Sequence, residues 1–346
     1  MITTQRRRKL AHVLLVVVYV IFGVWNHVAA SALSSPTPAA AEALSPAVLA
    51  MARDAGAAAV MVAFAVLSGV PSPSSSTQGV VVGPLLFPSA ADTPSVLLMG
   101  TAGVFMAQAL FTFGLSASSP LHAALLQPLT PVVMVGLTSL LNGDPCIVSR
   151  AHGSALALAS AGALAVVIGG ASPHAPGADE ASGMSAHWLG SALLLGAIGA
   201  FCLYLVCSAR ILGSGKYPCA WVTAWAYAVG AGQMMLFAMW WENVSPLSLW
   251  AVVSSVSLSQ AGVLAYGVFL ATAFNYNALS WASSVLGSRT VSLYNSVTPL
   301  TAAALSPADV TLVHMVGGAL ICLGLGINSS LPVPTPKLLP TKVVDV

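Results

Sequence analysis

Several stretches of this chain run for about 20 residues with apolar side chains and almost no charge, and that feature constrains the fold most. A helix needs about 20 such residues to cross the hydrocarbon core of a bilayer. Backbone N–H and C=O groups in lipid must bond within their own segment, which a helix achieves. Spans are predicted near 11–33, 46–69, 95–115, 119–141, 150–171, 188–209, 218–241, 258–280, 284–305 and 310–330. Only 6% of the 346 residues are charged. A soluble domain carries about 25%, so lipid must replace water around most of this chain.

Charge placement orients the spans. With the N-terminus inside and the spans alternating, the inner side receives Arg6, Arg7, Arg8, Lys9, Arg150, Arg210, Lys216, Arg289, Lys337 and Lys342. The eleventh basic residue, Arg53, falls within the second span. Basic residues favour the cytoplasmic side, so both termini are predicted inside. Arg6–Lys9 followed by Leu10–Val24 also has the form of a signal peptide, with Ala29-Ala30-Ser31-Ala32 as a cleavage site. The apolar run continues to about Leu33, which favours a retained first helix. A net charge of +2 and one short basic run give no reason to expect nucleic acid as a partner. The five cysteines are scattered, without a CxxC pair, and read as small core residues.

The two halves resemble each other. Gly103-Val104-Phe105-Met106-Ala107-Gln108-Ala109 matches Gly267-Val268-Phe269-Leu270-Ala271-Thr272-Ala273. Further on, Leu129-Thr130-Pro131 matches Val297-Thr298-Pro299. Five spans separate the copies, and an odd number inverts the second relative to the first. The predicted fold is an all-α integral membrane protein of ten transmembrane helices, arranged as two inverted five-helix repeats. The divisions are a cytoplasmic N-terminus (1–10), a first repeat (11–171), a non-cytoplasmic linker (172–187), a second repeat (188–330) and a cytoplasmic tail (331–346). Inverted repeats mark secondary transporters, with a solute site near mid-membrane between the halves.

Four places resemble the drug/metabolite transporter superfamily, in particular its EamA-type members. They are Phe22-Gly23-Val24-Trp25-Asn26, Ala50-Met51-Ala52-Arg53, Ala123 to Pro131, and Ser292 to Pro299 with the Gly317-Gly318…Gly324 helix. The family often carries Gly-Glu after its fourth and ninth helices. Here Gly143-Asp144 and Ser306-Pro307-Ala308-Asp309 stand in those places. The resemblance implies a central cavity lined by helices one, three, four, six, eight and nine.

Polar residues inside the spans are costly in hydrocarbon and therefore informative. The candidate solute-binding residues are Trp25, Asn26, Gln108, Phe111, Gln127, Tyr204, Asn275, Tyr276, Asn277, Tyr294 and Asn295. Consecutive helical residues point about 100° apart, so one of Asn275 and Asn277 is expected to face the cavity and the other a neighbouring helix. Pro131 and Pro299 are candidate hinges, since each removes a helix hydrogen bond. Amides and phenols suit a polar, neutral or zwitterionic solute. Arg53 and Asp54 read as a structural pair, with a solute carboxylate on Arg53 as the alternative. Asp54 is the one acidic residue within a predicted span, which favours facilitated transport or exchange over a proton-coupled pump.

No nucleophile–base motif, nucleotide loop or metal motif is present, so no enzyme activity and no cofactor are expected. The function expected is secondary transport of a small polar or amphipathic metabolite, amino-acid-like, by alternating access. The alternative is a non-transporting scaffold or receptor that keeps the transporter fold. The expected partners are a small-molecule substrate and the lipid bilayer; Gly190, Gly196 and Gly199, and Gly317, Gly318 and Gly324, are expected to let helices pack closely, with a homodimer face as the alternative. No retention or lipidation signal appears, which leaves the plasma membrane as the default location.

Overall fold

The computed structural model describes residues 2–33, 44–69, 79–82, 85–142, 180–305 and 310–330, together with Pro307 and isolated residues between 154 and 165. Apart from those isolated residues, the predicted span 150–171 lies outside the described residues, as do Gly143-Asp144 and the tail 331–346. Helices dominate. They are α1 (Ile2–Leu33), α2 (Pro46–Leu67), α3 (Thr93–Ser116), α4 (Pro120–Leu126 and Thr130–Asn142, joined by a 3-10 turn), α5 (Glu180–Gly213), α6 (Cys219–Glu242), α7 (Leu258–Leu286), α8 (Ser288–Leu293 and Val297–Leu305, again joined by a 3-10 turn) and α9 (Leu312–Ser330), with a short helix Pro246–Ser254 between α6 and α7. Among the described residues, seven helices are long and apolar enough to cross a membrane. The protein is thus a multi-pass helical membrane protein.

Helix starts follow a repeated local device. Ser45-Pro46, Ser119-Pro120 and Ser245-Pro246 each place a serine at the N-cap and a proline at the first helical position. The serine hydroxyl accepts from a backbone N–H three residues on, at 3.2 Å for Ser45, 3.1 Å for Ser119 and 3.3 Å for Ser245. Proline fits there because its missing N–H would have had no partner. Asn243 in a left-handed conformation (φ 52°) ends α6, and Gly287 (φ 83°) breaks the chain between α7 and α8.

One departure from an all-helical chain lies between α2 and α3. Gly79–Val82 (β1) pairs antiparallel with Leu85–Pro88 (β2), Val82 opposite Leu85. This apolar segment is too short to span and instead caps one end of the bundle. Leu86 is buried there, and its carbonyl accepts from Trp225 Nε1 at 2.8 Å. At the same end Asp92 accepts from Tyr217 Oη (2.8 Å) and Ser89 Oγ (2.9 Å) and faces Lys216 at 3.6 Å. At the other end Ser45 Oγ donates to Glu242, and His122 bonds Ser191 at 2.9 Å. Ends that charge placement assigns to one side therefore meet. Trp188, Trp240, Trp241 and Trp250 are exposed at the Glu242 end, as in an interfacial aromatic belt.

Packing is closest where glycines meet. A Cβ on Gly103 of α3 would lie 2.5 Å from the Cβ and 2.8 Å from the Cα of Tyr204 on α5. A Cβ on Gly230 of α6 would lie 2.5 Å from Val104 Cγ1 and 2.9 Å from the Gly100 carbonyl. Small residues let helix backbones approach in this way. Gly199, expected at such a contact, has open space around it.

Gly103→Ala is expected to destabilise the protein by about 1–3 kcal/mol, the cost of overpacking a rigid contact. Gly199→Ala is expected to be neutral. Thermal unfolding in detergent checks both. Hydrogen bonds from Tyr217 and Ser89, with Lys216 nearby, hold the Asp92 carboxyl below the usual carboxylate range. A carboxyl depressed in the folded state adds stability above its unfolded pKa and loses it as pH falls through the folded one. The unfolding midpoint of Asp92→Asn should therefore lie below wild type at neutral pH. The two should converge only once pH has fallen beneath the ordinary aspartate range.

Candidate functional site

A cavity lies between α1, α2, α3, α4, α5, α7 and α8, with about 620 Å³ of space between atoms, its mouth included. From α1 it is lined by Tyr19, Phe22, Trp25 and Asn26, which recur at helical spacing on one face. Gln108 and Phe111 line it from α3, Gln127 from α4, Phe201 from α5, Thr272 and Tyr276 from α7, and Asn295 and Thr298 from α8. Arg53 enters from α2, seven residues beyond Pro46, or about 10 Å along the helix at 1.5 Å per residue.

Arg53 organises one wall. It is 2% exposed and donates to Asp54 Oδ1 through Nε (2.9 Å) and Nη2 (2.8 Å). Nη2 also donates to Gln108 Oε1 at 2.7 Å, and Gln108 Nε2 donates to Tyr276 Oη at 2.6 Å. The guanidinium carbon stands 5.4 Å from the Trp25 ring, a cation–π distance. Trp25 in turn stacks on Tyr266 at 6.4 Å. Gly267 makes room for this: a Cβ there would lie 2.8 Å from the Trp25 ring and 3.2 Å from Arg53 Cγ. Among the described residues, Nη1 of Arg53 makes no hydrogen bond.

Aromatic rings close the cavity floor. Tyr276 meets Phe22 at 6.0 Å, Phe201 at 6.1 Å, Tyr204 at 5.1 Å and Tyr227 at 5.0 Å, all edge-on. On the opposite wall Asn295 Nδ2 donates to Thr130 Oγ1 and approaches Gln127 Oε1 at 3.4 Å. Two cavity-lining groups, Asn26 Nδ2 and Thr298 Oγ1, are buried with no hydrogen-bond partner among the described residues. A donor, a hydroxyl and a guanidinium edge thus face a space also walled by rings, small apolar side chains and the amides of Gln108, Gln127 and Asn295.

Four candidates from the sequence lie elsewhere. Tyr204 sits behind Tyr276 with its hydroxyl 3.0 Å from Ser280 Oγ. Tyr294 bonds His12 Nδ1 at 2.6 Å. Neither Asn275 nor Asn277 reaches the cavity. Asn275 donates to the Val18 carbonyl at 3.1 Å, and Asn277 accepts from Thr223 Oγ1 at 2.7 Å, so both serve helix contacts. Tyr276, between them, takes the cavity direction. Pro131 and Pro299 each follow a 3-10 turn, Gln127–Leu129 and Tyr294–Ser296. Phe22, Phe201, Thr272 and Thr298 were not candidates. Thr272 and Thr298 carried a usable signal, because they are the repeat mates of Gln108 and Thr130. Among the described residues, no group of three or more His, Cys, Asp or Glu could hold a metal ion.

Gln108→Leu should destabilise the protein by about 1–3 kcal/mol, since it strands both the Arg53 guanidinium and the Tyr276 hydroxyl. Adding Tyr276→Phe should cost less than the sum of the single changes, because the two share one hydrogen bond. Thermal unfolding of the four members of the cycle checks this.

No family model matches the chain. A solved crystal structure is similar in fold, with a TM-score of 0.55 and 18% sequence identity, covering 94% of this chain and 96% of that one. At that identity the likeness shows a shared fold and nothing of function.

Proposed function

We propose that the chain is a secondary transporter for a small polar or amphipathic metabolite, amino-acid-like in character, working by alternating access. In this reading ten spans form two inverted five-helix repeats of the drug/metabolite transporter type. The observation that carries it is the cavity wall: residues matched by the internal repeat meet there. Gln108 faces the same space as its mate Thr272, and Gln127 the same space as its mate Asn295. The local backbone repeats as well. The matched GVF segments fall within π-helical turns, Met99–Met106 and Tyr266–Phe274, and the matched Thr-Pro pairs follow 3-10 turns. A site between two such halves is where inverted-repeat carriers hold their solute.

The lining fits an amphipathic solute. Arg53 and Asp54 cancel in charge, so the cavity has no fixed excess of cations to attract phosphate. Rings offer an apolar surface, while Asn26, Thr298 and Arg53 Nη1 offer polar contacts. The scaffold reading draws on Asn275, a buried amide whose Nδ2 donates to the Val18 carbonyl rather than into the cavity.

Purified protein in proteoliposomes should take up at least one member of a tracer panel of amino acids, nucleosides and sugars saturably. Inertness towards the whole panel would favour the scaffold. Gln127→Ala should raise KM roughly tenfold, the worth of about one buried hydrogen bond. Asn275→Ala should reduce the yield of folded protein but leave KM per folded molecule near wild type.

A further inference from the structure

Asp54 answers the charge of Arg53 with only half of its carboxylate. It is 0% exposed, and one of its oxygens carries both contacts from Arg53. The other, Oδ2, is buried with no hydrogen-bond partner among the described residues. A half-satisfied carboxylate in a lipid-embedded bundle is costly, and such groups mark proton or ion pathways. Its counter-charge among the described residues, Arg53, lines the cavity, which Asp54 itself does not, and keeps Nη1 uncommitted. The other titratable groups in electrostatic reach are phenols, Tyr227 from α6 and Tyr276 from α7. From α3 the facing group is the neutral amide of Gln108. No second cation is available there among the described residues.

We infer that Asp54 is a proton site and that it couples solute binding to proton movement through competition for Arg53. This rests on the transporter reading above. A solute carboxylate entering the cavity meets Nη1 and draws the guanidinium towards itself. Two carboxylates then share one guanidinium, which leaves the buried Asp54 carboxylate without its adjacent counter-charge. Asp54 takes up one proton from the cavity water as the Arg53–Asp54 bonds break, and its uncharged acid form can stay buried. When the solute leaves on the far side, the guanidinium returns to Asp54 and the proton departs to that side. Each carboxylate-bearing solute moves with one proton, so a zwitterionic amino acid carries one net positive charge. The device selects for a carboxylate, because a solute lacking one does not displace Asp54.

The test uses the full chain in proteoliposomes clamped at zero potential, with an entrapped pH-sensitive dye and tracer L-phenylalanine, L-glutamine and uridine. The expected result is uptake of an amino acid, with about one proton entering per molecule. An outside pH one unit more acidic than inside should then concentrate the amino acid about tenfold. In Asp54→Asn the proton-to-solute ratio should fall towards zero. Should that variant fail to fold, infrared difference spectra of wild type serve instead, and a protonated-carboxyl band must appear on adding L-phenylalanine. Amino-acid uptake with no proton entry and no such band overturns the inference and leaves the transporter reading standing. Uptake of uridine alone does the same. Uptake of none of the three probes overturns the inference, and the wider tracer panel then decides the transporter reading.

Discussion

A guanidinium held away from water must be surrounded by acceptors and rings, and the centre of this bundle is arranged to do that for Arg53. The requirement reaches four helices. Asp54 answers the charge from α2 itself, Gln108 accepts from α3, and Trp25 of α1 lays its ring beside the cation. Gln108 can do so only because its amide nitrogen has a partner in Tyr276 of α7. Gly267 must lack a side chain for Trp25 and Arg53 to fit. Breaking a buried pair by removing one partner typically costs about 3–5 kcal/mol. The position of α1, α3 and α7 around α2 is therefore tied to a single side chain, and the cavity is the space those helices leave.

Much of the architecture was legible in the sequence for a physical reason. Lipid leaves little choice of backbone, so apolar length alone places α2, α3 and α6 closely on their predicted spans, while α1 and α5 extend well beyond theirs at the N-terminal end and α7 at the C-terminal end. Ser-Pro pairs mark helix starts because capping is local. The side chains were harder to read, because burial in a membrane protein says little about direction. Asn275, Asn277 and Tyr276 share one turn and the same apparent polarity. Which of them faces the cavity depends on where Val18 and Thr223 stand on neighbouring helices. Arg53 read as a structural pair because adjacent opposite charges look self-contained. The structure shows that the pair also forms part of a wall.

The helix irregularities follow the same division. Proline at 131 and 299 predicts a kink, and a 3-10 turn precedes each. The π-helical turns at Met99–Met106 and Tyr266–Phe274 have no proline or charge to announce them. The matched Gly103 and Gly267 lie inside them, and each glycine admits a bulky neighbour, Tyr204 or Trp25. A widened turn beside a missing side chain gives the partner helix room that an ordinary α-turn would fill. The hairpin of β1 and β2 escaped the sequence reading for a simpler reason. Four-residue apolar strands are too short to carry a distinctive period.

The contact of α3 with α5 and α6 brings helices close at Gly103 against Tyr204 and at Gly230 against Val104 and Gly100, and Phe105 and Phe113 of α3 pack edge-on against Phe237 of α6. At the glycines, and between the interlocked rings, such a joint has no room for a file of water molecules. It therefore acts as electrical insulation. Among the described residues, that seam offers protons and small ions no hydrated route. A seam closed this way works towards keeping a membrane's gradients while the centre of the bundle stays polar.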